Sequence, residues 1–424
     1  MKHTIETLAK NIHPFPSIPV FLLGVAFLLF PIAHLSVFGF PLYLSEGFIF
    51  LSIITLFFQY TPKRFFAELW SHFVSEKHFF LFTLLFLVGI TLSLLLNYPD
   101  VGSLGKLKSF YIVPIIFAAL IPLALSQVRD FRFLLYAWLL GALSAAVASL
   151  IVASEGIFLY DGRLAGPYQS ANYLALLVAP TLLISVFLFL TSHLKVEKIS
   201  LFVCGLLLTF TLFLTHSYGV WLGIGVCMVV SMWILARKKK RLFLTLLFSG
   251  IAFLSILFLL ESNSEKWQSL ISFDERSSLA SRLMIWQVAG DIASENPLFG
   301  IGTGKFQETY LEYQQFYPPY LEWAVPTPHN LYVHFLLEGG VLTLFSWIGI
   351  IGVLGFRFKR LWLVIEEKSE IRSYALFASI LVIFYLSYGL VDTPYMKNDL
   401  TLAVWGSIGF FLASLKLERH SVQS

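Results

Sequence analysis

Charge is what this sequence lacks. Asp, Glu, Lys and Arg make up 13% of its 424 residues, where a soluble globular protein has about 25%. Hydrophobic residues account for 58%, and mean hydropathy is +0.79. An ordinary soluble domain is excluded, and counting soluble domains from length does not apply. Cysteine is nearly absent as well. Cys204 and Cys227 both fall inside apolar runs, which argues against a disulfide framework and against a zinc site. The net charge of +4 comes from basic residues in short clusters between apolar runs, so it is not a nucleic-acid signature. Low-complexity tracts and internal repeats are missing too.

Long apolar runs fill the space that charge leaves. Runs of about 17–25 apolar residues are the transmembrane signal. Twelve are expected, at 18–34, 44–60, 79–96, 109–126, 133–153, 170–191, 199–215, 219–236, 242–260, 330–354, 373–391 and 400–414. The expected fold is an all-α polytopic membrane protein in which 1–424 form a single membrane domain. The first run follows a basic N-terminal stretch as a signal peptide's does, but without a small-x-small cleavage pattern, and reads as an uncleaved first helix. With both termini inside, 21 of the 29 Lys and Arg residues fall in inner segments, including the RKKKR run at 237–241. That bias sets the orientation.

The long outer loop is expected over 261–328, about 68 residues between spans nine and ten. Within it SSLASRLMIWQVAGDIASENPLFGIGTGKF reads as a helix. Ser277 or Ser278 caps it, Leu279, Leu283, Trp286 and Ile292 form its apolar stripe, and ENPLFGIGTG ends it in a turn. A second helical piece, KFQETYLEYQQFYPPY, is dense in Tyr and Phe and suits a cap along the outer leaflet.

Four polar stretches fall on that outer face: YDGRLAGPYQSANYLA (160–175), SRLMIW (281–286), PTPHNLY (326–332) and VDTPYMKNDL (391–400). In this order, with PHNLYVHFLLEGG, R-x-x-x-W followed by NPLFGIGTGKF, and GRLAGPYQSANYLA, the chain resembles the O-antigen ligase and polymerase superfamily of lipid-linked polysaccharide transferases. The resemblance covers about 160–345. It implies an all-helical glycosyltransferase of the GT-C type, working in the cytoplasmic membrane with its site on the periplasmic face. The donor would be a glycan on undecaprenyl diphosphate, and the acceptor a glycan or lipid A–core. It also implies a histidine in the long outer loop and two outer arginines, which map to His329, Arg163 and Arg282.

The residue types suit that chemistry independently. A diphosphate leaving group gains negative charge as its bond to the sugar breaks, and arginine offers a permanently charged fork of donors for it. A sugar hydroxyl needs a base, and histidine is the usual one near neutral pH. The paired outer carboxylates of metal-dependent membrane transferases are missing, so neither a metal nor another cofactor is expected.

Several residues keep two readings. Asn330 caps span ten or touches substrate. His334 and Glu338, four apart on one face, form a buried structural pair or a proton relay. Arg163 pairs with Asp161 or binds diphosphate, and Asp392 and Lys397 pair with each other or serve the site. Gln169 and Asn172 are further candidates. Two other functions stay open: a polymerase of the same superfamily, and a twelve-span transporter or lipid flippase. Against the transporter, polar residues gather outside the spans rather than at the midplane.

Overall fold

The computed structural model describes residues 16–30, 35–37, 40–236, 277–318, 325–364, 369–395 and 397–423, together with 243–244, 247–248, 250, 255, 259 and 268. Span nine (242–260), the RKKKR run, the first fifteen residues and the loop portions at 261–276 and 319–324 lie wholly or mostly outside the described residues.

The chain is all-α apart from one small hairpin, and it is a multi-pass membrane protein. The described elements are α1 (Ile18–Leu28), β1 (Leu35–Val37), β2 (Phe40–Leu42), α2 (Leu44–Gln59), α3 (Pro62–Ser75) and α4 (Lys77–Leu96). Then come α5 (Val101–Ala124), with a wide π-type turn over Leu107–Ile112, α6 (Val128–Ser154), α7 (Ala171–Thr191), α8 (Lys195–Leu214) and α9 (Tyr218–Ala236). After α10 (Ser278–Glu295) and α11 (Phe306–Gln314) come α12 (Leu331–Val364), α13 (Glu370–Tyr388) and α14 (Asn398–Gln423). Among the described residues eight helices are long and apolar enough to cross a membrane, or nine if the bent pair α2–α3 is one span.

α14 is the central post. Its sequence, TLAVWGSIGFFLASL, is apolar or small on every side, and 94% of its apolar window is buried, against 22% for α8. A helix apolar all round belongs in the middle of a bundle. Small residues let neighbours come close: a Cβ at Gly409 would sit 2.8 Å from the Ala118 carbonyl oxygen of α5.

The structure corrects the sequence reading in three places. Residues 62–75, expected as an inner loop, form α3, which Thr61 caps through the Arg64 N–H. α3 turns 116° from α2 and leaves Phe66, Trp70 and Phe73 exposed, as a helix lying in the membrane interface does. The buried side of α10 is Met284, Ile285, Val288, Ala289 and Ile292, while Leu283 of the expected stripe is exposed.

The third correction concerns span ten. α12 is not straight: Gly340, at φ +70° and ψ −169°, breaks it into a short limb, 331–339, and a long limb, 341–364. The rings of Phe335 and Trp347 lie 5.0 Å apart, although twelve residues of straight helix would separate them by about 18 Å. The NPLFGIGTG loop fills the break. Val341 N–H donates to the Pro297 carbonyl (2.9 Å), and Ile301 N–H donates to the Leu337 carbonyl (2.7 Å). A Cβ on Gly340 would stand 2.0 Å from the Leu298 carbonyl oxygen, so glycine is required there on both counts. GIGTG is thus a turn docked on a broken helix.

Candidate functional site

The break turns the short limb away from the long one and puts His329 at its head. His329 itself is left-handed, at φ +48°, which costs an L-residue of order 1–3 kcal/mol. The bonds on either side hold it there. Trp286 Nε1, one turn after Arg282 on α10, donates to the Pro328 carbonyl (2.9 Å). Asn330 Nδ2 donates to the Leu390 carbonyl (3.0 Å), and its Oδ1 accepts the N–H groups of Tyr332 and Val333. Asn330 is therefore the cap of α12 and a brace for His329.

His329 Nδ1 lies 2.8 Å from Asp392 Oδ1. The histidine side chain is 29% exposed and the carboxylate 4%. Asp392 also accepts from Asn172 Nδ2 (2.8 Å), from the Tyr388 hydroxyl (2.9 Å) and from the Thr393 N–H (2.8 Å). Burial alone pushes its carboxyl up. His329, Arg282 and the Thr393 amide more than offset that and hold it well below the usual carboxylate range. Facing an ionised Asp392, a neutral His329 would carry its proton on Nδ1 and present Nε2 as the acceptor.

Asn172 links the two halves of the site. Its Oδ1 accepts from Arg163 Nη2 and from Ser217 Oγ (3.2 Å) while its amide nitrogen holds Asp392. Arg163 is further fixed by Nε donating to the Thr215 carbonyl (2.9 Å) and by Asp161 at 3.7 Å from Nη1. Arg163 thus has its Asp161 partner and, through Asn172, a tie to the His329 cluster. Arg282 is differently placed. Its Nη1 reaches Ser278 only at 3.4–3.5 Å, and its buried Nε has no hydrogen-bond partner. A buried guanidinium N–H without an acceptor is costly unless something else accepts from it.

The other candidates separate. Lys397 lies over the Tyr173 ring at 5.8 Å, while Asp392 is committed to His329. Gln169 is exposed. Glu338 is buried on the short limb and accepts from the Tyr111 hydroxyl (2.8 Å) and the Gly304 N–H (2.7 Å), so it ties the limb to α5 and to the docked turn. His334 is buried beside it. Sequence reasoning missed Tyr388, Ser217 and the Thr215 carbonyl, since nothing in their local pattern marks them. Among the described residues no three His, Cys, Asp or Glu side chains converge as a metal ion would need.

Comparison with known proteins adds one match. Residues 202–348 fit the family model described as O-Antigen ligase. The matched stretch contains Arg282, Trp286, the docked turn and His329. It stops short of Arg163 and Asn172 on one side and of Asp392 on the other. No curated protein matches the chain.

Proposed function

We propose, on the premise that this chain belongs to the O-antigen ligase superfamily through residues 202–348, that it is an inverting, metal-independent glycosyltransferase. It moves a glycan from undecaprenyl diphosphate to an acceptor sugar hydroxyl such as that of lipid A–core. The observation that carries this reading is the His329–Asp392 pair, half-open at its imidazole end, with the unpartnered Arg282 Nε beside it.

In the proposed reaction the acceptor hydroxyl oxygen forms a bond to the anomeric carbon while the bond from that carbon to the diphosphate oxygen breaks. The hydroxyl proton goes to His329 Nε2, and the bonding electrons go to the leaving diphosphate. Asp392 holds the Nδ1–H and stabilises the imidazolium that forms. Arg282 and Arg163 meet the charge developing on the diphosphate, Arg163 being fixed in advance by Asn172 and Thr215. Preorganised donors need no rearrangement as the bond breaks.

The sites of reaction and membrane follow from the basic asymmetry. The protein sits in the cytoplasmic membrane with both termini inside, and His329 lies on the periplasmic face at headgroup depth. A cysteine replacing Tyr160 should react with an impermeant maleimide in intact spheroplasts, and one replacing Lys195 only after permeabilisation, in a background lacking Cys204 and Cys227. The reverse pattern would turn the site towards nucleotide sugars and end the lipid-diphosphate mechanism.

The direct test is transfer by purified His329→Ala with a defined lipid-linked donor. Activity should fall about 10²–10⁴-fold with insertion and folding unchanged. Near-normal transfer would overturn the assignment. Lipid A–core and a second repeat unit, offered as rival acceptors, separate ligase from polymerase.

A further inference from the structure

We propose that the end of the bundle remote from His329 holds a binding site for an anionic glycerophospholipid, where the α3–α4 corner meets the far end of α12's long limb. A cavity of about 550 Å³ opens there. Its rim is cationic, with Lys77 from the start of α4 and Arg357 and Arg360 from α12, and His78 lies beside Lys77. Its floor is apolar, with Phe82 of α4 facing Gly352 and Val353 of α12.

The two ends of the cavity ask for different chemistry. Arg357 and Arg360 are three apart and so share a helix face. Among the described residues lining the cavity there is no carboxylate. The nearby Glu76 is 1% exposed and already divided between Arg357 (Nε to Oε2, 3.0 Å) and Arg419. The charge left over at the rim is positive, and it calls for an anion. The floor calls for a chain. The Phe82 ring packs on Gly349, where a Cβ would come within 2.3 Å of it, whereas a Cβ on Gly352 would meet nothing within 4 Å. Phe345, Ile348 and Phe356 nearby are exposed on the same helix, as lipid-facing side chains are.

A soluble phosphate would use only the rim, and a hydrocarbon only the floor. A phospholipid with net negative charge uses both, with phosphate on Lys77, Arg357 and Arg360 and one acyl chain along Phe82 and Gly352. Basic pockets between transmembrane helices suit such headgroups. From Val341 to Arg360 the long limb spans about 30 Å, one hydrocarbon thickness, so this site faces the leaflet opposite His329. It does not depend on the transfer reaction.

The test uses the full chain in phosphatidylcholine nanodiscs containing a minor share of phosphatidylglycerol, with no glycan donor present, and counts co-purifying lipids by native mass spectrometry. Wild type should retain phosphatidylglycerol in preference to phosphatidylcholine. Lys77→Ala/Arg360→Ala removes two exposed charges that have no ion-pair partner among the described residues, and should cut that preference about tenfold. Gly352→Leu keeps every charge, fills the open floor and should weaken retention severalfold. Millimolar inorganic phosphate should leave the lipid bound. Undiminished preference in the charge variant would overturn the proposal, as would displacement by phosphate or indifference to Gly352→Leu. Because no donor is present, failure here leaves the reading of His329 untouched, and failure of transfer leaves this one untouched.

Discussion

Two buried carboxylates flank the short limb of α12, and they are near twins. Asp392 and Glu338 are 3% and 4% exposed. Each accepts from a tyrosine hydroxyl, Tyr388 for one and Tyr111 for the other, and each accepts from a backbone N–H, of Thr393 and Gly304. The remaining partners differ. Asp392 holds a half-exposed histidine and, through Asn172, a guanidinium, while Glu338 joins groups that belong to the architecture. Burial and satisfaction are therefore poor guides to function when taken alone. What a buried carboxylate holds at the protein's mouth is the better guide.

The comparison breaks most sharply at the groups on the Asp392 side. Arg282→Ala and Arg163→Ala should each lower kcat about 10²–10³-fold, the scale for losing a donor aimed at developing charge. Lysine should rescue either poorly because it keeps the charge and loses the fork. Lysine variants at wild-type rates would reduce both arginines to diffuse electrostatics.

Asp392→Asn should lower kcat about 10–100-fold, the scale for losing a group that orients another. The amide keeps the shape but presents Nδ1 with a neutral partner. An unchanged kcat would make Asp392 as architectural as its twin. Glu338→Ala should do the opposite. It strands the Tyr111 hydroxyl and the Gly304 N–H, at about 1–3 kcal/mol for each unsatisfied group, so thermal denaturation should come earlier. Transfer per folded molecule should move only a few-fold; a collapse of kcat at unchanged stability would move Glu338 into the reacting machinery. The smallest effect is expected from chelation. Transfer should persist in EDTA, and loss restored by Mg²⁺ or Mn²⁺ would show a metal sharing the diphosphate with the arginines.

Much of this was legible in the sequence, and the reasons are local. His329, Arg282 and Trp286 sit in short motifs, and apolar runs announce helices without further information. The break at Gly340 was written as EGG, but an uninterrupted apolar run masked it because hydropathy averages across a bend. α3 was hidden by its charges, Lys63, Arg64 and Glu68, which suit an interfacial helix as well as a loop. Asp392 was visible as a candidate, yet its pairing with His329 was not. His329 and Asp392 are 63 positions apart, and Asn172 and Asp392 are 220 apart. No periodicity connects such distances. Only the packed bundle does.

The central position of α14 bears on how the protein is made. Synthesis runs from the N-terminus, so the most enclosed of the described spans is made after the helices it packs against. Until it inserts, the earlier helices lack the post they pack on, and α5 lacks its most extensive neighbour. The hairpin that delivers α14 is also the one that carries Asp392. Before that hairpin forms, a nascent chain can therefore sit in the membrane with His329 still lacking its Asp392 partner. The His329–Asp392 pair is completed only with that hairpin, so under the proposed function a half-built copy would lack it.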